Sequence, residues 1–147
     1  MKKIIHIIAV CLSLMTVHAS AVQKKLEIIL SVRPVLNSYL VDGTIVGTGK
    51  VIYHGEHTGF QVWLDGERNN NIPTRYLITG KNNGSNKLFV RLEQTGWEPN
   101  EKANGGLITY SREEQADFSI VADGGQQISA DEYVIVAKAK VSQADDS

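Results

Sequence analysis

The stretch that decides the fold is residues 133–141, with the sequence YVIVAKAKV. In its second half alanines share one face and lysines share the other. Side chains of a β-strand point alternately to opposite faces, so this period of two predicts a strand with one buried face. Along that face the side chains shrink from Tyr133 and Ile135 to Ala137 and Ala139, close to the end of the printed chain.

The same period of two recurs in the rest of the chain. Apolar side chains alternate along residues 26–32, and this first strand ends at Pro34. An Asn-Gly pair at 83–84 is typical of a hairpin. Short strands with turn residues between them and no helical periodicity predict an all-β, antiparallel sandwich. Further strands are predicted at 50–53, 60–64, 76–79, 88–92, 107–110 and 116–122.

Tyr133 favours an immunoglobulin-like sandwich in particular. It follows the segment 128–132 and leads into the last strand. From there its hydroxyl can return to an upstream backbone group, which is the tyrosine-corner arrangement. An ordinary aromatic position in the core explains the residue equally well from sequence.

The two end strands raise the hypothesis of an incomplete sandwich, although the pattern alone slightly favours a complete one. If the strand at 133–141 is the sixth of seven, the seventh is missing, and a groove lies between the first strand and the last. Unpaired edges are aggregation hazards that can also accept an extended segment of another chain. A complete sandwich with another strand count is the alternative that the pattern leaves open. The predicted groove residues are Leu26, Ile28, Leu30, Val32, Ile135, Ala137, Ala139 and Val141.

Residues 1–21 have the pattern of a secretory signal. Two lysines precede an apolar run at 4–17 that is too short to span a bilayer, and small residues at 19–21 supply a cleavage site. Residues 22–147 are then predicted to be one exported domain. Cys11, the one cysteine, would leave with the signal. The exported part would have no disulfide and no zinc–thiolate site, and its slightly acidic charge argues against nucleic-acid binding.

No pattern of catalytic or cofactor-binding residues is complete, so we expect a protein that is not an enzyme and has no cofactor. The nucleophile elbow of serine hydrolases is missing, and residues 47–50 match only part of a phosphate-binding loop. His54 and His57 flank a glutamate, but this spacing in a loop fixes no metal geometry. Solvated loop histidines are therefore favoured over a metal site.

Trp63 and Trp97 are candidates for a partner surface. With Phe60, Val62 and Leu64 facing the core, Trp63 lies on the opposite face of its strand. An aromatic side chain there either contacts a partner or packs under a neighbouring loop, and packing is the favoured alternative. Trp97, in a polar loop, has the same two alternatives.

Residues 55–64, GEHTGFQVWL, resemble a segment of a known family. The pattern His-Thr-Gly-Phe-x-Val-Trp is similar to that of the AfaD-type invasins of the Afa/Dr adhesins and enteroaggregative adherence fimbriae. The resemblance extends over most of the chain from about residue 49. It makes His57, with the two tryptophans, part of the candidate partner surface. Further pieces in the family's order are GWEP at 96–99, EEQ at 113–115, VADG at 121–124 and EY at 132–133.

The resemblance implies a minor fimbrial subunit exported by the chaperone–usher route. Such subunits lack the last strand of an immunoglobulin-like fold. A periplasmic chaperone supplies a strand first, and the N-terminal extension of the major subunit then replaces it. The implied partners are the chaperone, the outer-membrane usher, the major fimbrial subunit and a host-cell receptor. The implied location is the fimbrial tip at the cell surface, because an invasin-type subunit lacks a donor extension of its own.

The chain departs from the family pattern at two cysteines. AfaD-type chains carry one in the strand before the His-Thr-Gly-Phe segment and one in the last strand, where this chain has Tyr53 and a residue near Val141. A fold without that staple, commonly worth about 2–4 kcal/mol, would depend more on the donated strand.

The sequence therefore predicts an adhesin or invasin at the tip of a chaperone–usher fimbria, assembled by donor-strand complementation. The alternative from another class is a complete secreted sandwich that binds carbohydrate through Trp63, Trp97 and loop asparagines.

Overall fold

The computed structural model describes residues 24–33 and 38–144, and the predicted signal at 1–21 lies outside them. No helix long and apolar enough to cross a membrane is found in the described residues, which form strands, turns and bends. The strands are β1 (Glu27–Val32), β2 (Tyr39–Leu40), β3 (Ile45–Ile52), β4 (Gly59–Leu64), β5 (Glu67–Arg68), β6 (Arg75–Thr79), β7 (Lys87–Glu93), β8 (Glu98–Pro99), β9 (Leu107–Thr109), β10 (Gln115–Ala122), β11 (Gln126–Gln127) and β12 (Ala137–Ser142).

Two antiparallel sheets form the layers of a sandwich. Sheet 1 has the strand order β1-β3-β10-β7-β6-β5, and sheet 2 has the order β12-β4-β9-β8. β11 and β2 form a separate short ribbon. This arrangement confirms the predicted all-β class.

The core lies between the sheets because apolar residues alternate on their facing sides. Phe60 and Val62 of β4 pack in one cluster with Phe118 and Ile120 of β10, and all four are buried. Gly49 of β3 lies opposite Phe118, and a methyl group at that position would overlap the aromatic ring. The glycine therefore admits a large aromatic side chain into a close-packed core.

The predicted strands are in the right places, but some bounds differ. β3 begins at Ile45 rather than at residue 50, because its first half is also paired, with β1 and β10. The two-residue strands β2, β5, β8 and β11 were not predicted from sequence. Two residues are too few to show an alternation.

Tyr133 forms the tyrosine corner. Its Oη donates a hydrogen bond to the carbonyl oxygen of Ser129 at 2.7 Å, and its backbone forms an isolated bridge with Gly80. These contacts turn the chain into the last strand. Regular pairing with β4 therefore begins at Ala137, whereas the sequence pattern predicted a strand from residue 133.

Candidate functional site

Each sheet ends in a long strand on the same side of the sandwich. β1 is one edge of sheet 1, and β12 is one edge of sheet 2. The two strands contact each other, but no hydrogen-bonded pairing joins them, and no other described strand lies between them. Each is six residues long, so both edges are without a pairing strand over the length of a whole strand.

The opening contains all eight residues predicted to line a groove, and we call it the β1–β12 groove. Six of them are half-buried and pack against the core without being covered by it. Val32 is 45% exposed, whereas Ile135 is buried. The six half-buried residues are Leu26, Ile28 and Leu30 on the β1 side and Ala137, Ala139 and Val141 on the β12 side.

A cavity of about 460 Å³ forms one end of the groove. Val32, at the end of β1, and Ile135, just before β12, both line it. β1 and β12 therefore run in opposite directions along the opening. The remaining lining residues are Val46, Leu88 and Tyr133, with the charged side chains of Arg33, Asp131 and Glu132.

Asp131 fixes the entry to β12 at this end. Its carboxylate accepts hydrogen bonds from the backbone N–H groups of Asn82, Asn83 and Glu132 and from the side chain of Asn86. The hydrogen bond from Asn82 is the largest of the effects that lower the pKa of Asp131 to about 2. The ionised carboxylate thus ties the β6–β7 loop to the turn that precedes Tyr133.

The outer face of β12 is charged, in contrast to its groove face. Lys138 and Lys140 are exposed, and Lys138 Nζ lies 3.6 Å from a carboxylate oxygen of Asp65. Lysine on an edge strand discourages indiscriminate pairing with other chains. The apolar side of β12 therefore faces the core, while its solvent side is polar.

His57 requires a correction. It is 4% exposed, so it is neither a solvated loop histidine nor a surface for a partner. Its Nδ1 and Nε2 each lie 2.8 Å from a carbonyl oxygen, of Gly55 and Glu113 respectively. The ring packs against Tyr53 and Phe60. His57 therefore joins the loop before β4 to the loop before β10.

His54 lies apart from this arrangement. Its Nδ1 is 3.2 Å from a carboxylate oxygen of Glu114, and both side chains are exposed. Among residues 24–33 and 38–144, no cluster of three His, Cys, Asp or Glu side chains could hold a metal ion.

The two tryptophans have different surroundings. Trp97 packs on the core, with its ring edge-on to Phe118 at a centroid distance of 6.4 Å. Trp63 is half-buried on the outer face of sheet 2, where the backbone at Gly106 passes against it. The part of Trp63 that remains accessible keeps it as a predicted partner contact.

The sequence pattern did not identify the residues that close the end of the groove. Asp131, Val46 and Leu88 lie on three different parts of the chain, and the fold brings them together. The spacing of Asp131 and Tyr133 at a strand entry was the one available signal, because a turn aspartate commonly accepts nearby backbone N–H groups.

Comparison with known proteins gives consistent matches. Residues 36–139 match the family described as Enterobacteria AfaD invasin protein. Protein AfaD of Escherichia coli is 36% identical over 115 residues, which cover 78% of each chain. The crystal structure of the Salmonella SafD adhesin has a TM-score of 0.77 and 34% identity, and covers 84% of this chain and 92% of that one. A structure from work on fibronectin binding and biofilm formation by enteroaggregative E. coli AAF fimbriae has a TM-score of 0.75 and 30% identity, and covers 81% and 89%.

Proposed function

This chain belongs to the AfaD family of enterobacterial invasins, and we propose that its β1–β12 groove accepts an extended strand from another polypeptide. It is a minor fimbrial subunit of the adhesin and invasin type, with an incomplete immunoglobulin-like fold. The family is one of fimbrial adhesins rather than enzymes. The groove supplies the structural reason for assembly with a partner.

The observation that carries the proposal is the pair of unpaired edge strands. Each edge presents backbone N–H and C=O groups that have no partner in the described chain. A strand inserted between β1 and β12 would pair with both edges at once and join the two sheets. Its alternate side chains would cover the half-buried apolar residues of the groove, and this would set the register. In the alternative, a complete carbohydrate-binding sandwich, these two edges would stay unpaired.

The part of the groove beside the alanines of β12 suits inserted apolar side chains. Ala137 and Ala139 leave space above the core, whereas bulkier residues there would fill it. The cavity bordered by Val32 and Ile135 provides a deeper end for one side chain. We take the donor to be first a periplasmic chaperone and then the N-terminal extension of the major fimbrial subunit, with the outer-membrane usher as the site of exchange.

The proposed route begins with removal of the signal at residues 1–21 and leaves 22–147 as one domain. The subunit would then pass through the periplasm to the fimbrial tip at the cell surface and contact a host receptor. The AAF structure came from work on fibronectin binding, so fibronectin is the first host protein to test. The exposed part of Trp63 is the candidate contact on this chain.

Co-expression with the chaperone of its fimbria tests the strand-acceptor function. We expect a one-to-one complex by native mass spectrometry and little soluble protein without the chaperone. Ala139→Asp places a carboxylate in the groove and should abolish the complex. Lys140→Asp, on the opposite face of the same strand, should preserve it. Equal complex formation by both variants would show that the chaperone binds elsewhere.

A further inference from the structure

A second cavity lies on the outer face of sheet 2, away from the groove. Its volume is about 410 Å³, within the range of about 300–1,000 Å³ that is usual for small-molecule sites. It is formed where the ends of β9 and β12 lie beside β4 and the loop after β8. Its main lining residues are Thr58, Gln61, Lys102, Ile108, Tyr110 and Ser142.

The strand register shows that this cavity belongs to the outer face. Gln61 is paired with Lys140 on β12 and with Ile108 on β9, and paired side chains lie on the same side of a sheet. Ile108 is buried although it is not part of the core cluster. It therefore supplies an apolar floor on the side of the sheet opposite the core.

The buried amide of Gln61 supplies a polar wall, and a second buried amide, Asn100, holds it in place. Gln61 is 5% exposed and Asn100 is 2% exposed. The side-chain amide of Asn100 donates to Gln61 Oε1 at 3.2 Å, and Gln61 Nε2 donates to Ser142 Oγ at 3.3 Å. These bonds fix the orientation of the Gln61 side chain and use one of its donor hydrogens and one of its acceptor lone pairs. An amide has two of each, so hydrogen-bonding groups remain for a ligand. The Ser142 hydroxyl is the acceptor in this bond, and a hydroxyl also carries one donor hydrogen.

The mouth of the cavity carries an aromatic ring and a cation. Tyr110 is 70% exposed, so its ring is accessible to a ligand at the mouth of the cavity. Lys102 is exposed and is the one charged residue among those that line the cavity. Lys140, exposed on the same face beside Gln61, adds positive charge nearby, whereas Glu98, paired with Ile108 on that face, carries the opposite charge.

We propose that this cavity binds an acidic saccharide. A sugar ring has an apolar face that can stack on Tyr110 and hydroxyl groups that can bond to Gln61, Ser142 and Thr58. A carboxylate or sulfate on the sugar would lie near Lys102. An extended acidic peptide is disfavoured, because the described edge at β8 is two residues long and offers little backbone to pair with.

The site remains open when the groove is filled. Ala139 and Val141 face the groove, whereas Lys140 and Ser142 face the opposite side of the same strand. A strand inserted beside β12 would therefore leave the cavity accessible. The inference goes beyond the strand-acceptor function and does not depend on it.

Ligand titration followed by NMR tests the site on the chain joined to a donor strand. The probes are sialyllactose, which carries a carboxylate, 6-sulfolactose, which carries a sulfate, and neutral lactose. We expect at least one acidic probe to bind, with amide shifts confined to residues around Tyr110 and Ser142, and lactose to bind more weakly. The two acidic probes distinguish a carboxylated glycan from a sulfated one. Equal binding of lactose, no binding of either acidic probe, or binding of a poly-glutamate peptide in place of the sugars would overturn the proposal.

Variants separate the stacking and charge contributions. Tyr110→Ala should weaken binding of the acidic probe by roughly three- to tenfold, as expected for the loss of one aromatic contact. Lys102→Met should weaken it by about two- to fivefold and reduce its salt dependence. Lys87→Met, an exposed lysine on sheet 1, is the matched control and should bind as wild type. A chain that is stable without a donor strand would overturn the strand-acceptor function alone. The same titration on that lone chain would then still test the saccharide site.

Discussion

Ala139→Ile distinguishes the groove from an ordinary partly buried surface. Ala139 lies half-buried on the groove side of β12 and is paired with Val62 of β4. In the chain alone the larger side chain would extend into open space, and its branched Cβ suits a strand. In the chain with a donor strand it would occupy the space of a donor side chain. The substitution should therefore hardly change the stability of the chain alone but should destabilise the chain with a donor strand.

The magnitude follows from overpacking. Extra methylene groups in a filled core cost about 1–3 kcal/mol, so the free energy of unfolding of the donor-strand fusion should fall by about that amount. Lys140→Ile makes a similar change in strand propensity on the opposite face of the strand, and should change the free energy by less than about 0.5 kcal/mol. Chemical denaturation of both fused variants, followed by circular dichroism, measures the difference. Equal effects of the two substitutions would refute a donor strand packed over Ala139.

Three further substitutions test the surroundings of the groove. Tyr133→Phe removes the hydrogen bond to Ser129 and should lower the free energy of unfolding by about 0.5–1.5 kcal/mol; an unchanged value would show that the corner adds no stability. The folded-state pKa of Asp131, about 2, is below its unfolded value, so its contribution is complete above about pH 4 and is lost as the pH falls towards 2. The melting temperature of the wild type should therefore fall between about pH 4 and pH 2, and that of Asp131→Asn should fall less. Equal falls in the two proteins would show that ionised Asp131 does not stabilise the fold. His57→Ala leaves two carbonyls without their ring partners and should cost about 2–4 kcal/mol by denaturant unfolding, whereas exposed His54→Ala should cost little; equal costs would contradict the packing role.

Alternation along the chain predicted the parts of the fold that depend on local physics. The first and last strands showed which side chains share a face, and the structure places those side chains along one opening. For Tyr133 the sequence left a corner residue and an ordinary core aromatic equally open, and the hydrogen bond to Ser129 decides for the corner. The start of β12 was misplaced, since the corner contacts interrupt pairing without disturbing the apolar pattern.

The environment of single side chains was less predictable. His57 was predicted to be a solvated loop histidine; it does lie in a loop, but it is buried against the Glu113 carbonyl, which is distant in sequence. Gln61 is buried although it faces away from the core, and its partner Asn100 is distant in sequence. The cavity at Tyr110 likewise combines three separate segments. Such sites arise from tertiary contacts that no periodicity records.

The incomplete fold is tested most directly by comparing residues 22–147 alone with the same chain carrying a donor strand after β12. Size-exclusion chromatography with light scattering gives the mass, and calorimetry gives the cooperativity of unfolding. We predict that the lone chain aggregates or exchanges strands, whereas the fused chain is a monomer with one cooperative transition. A lone chain that is monomeric and unfolds cooperatively at the same temperature as the fusion would contradict the proposal that another chain completes the core.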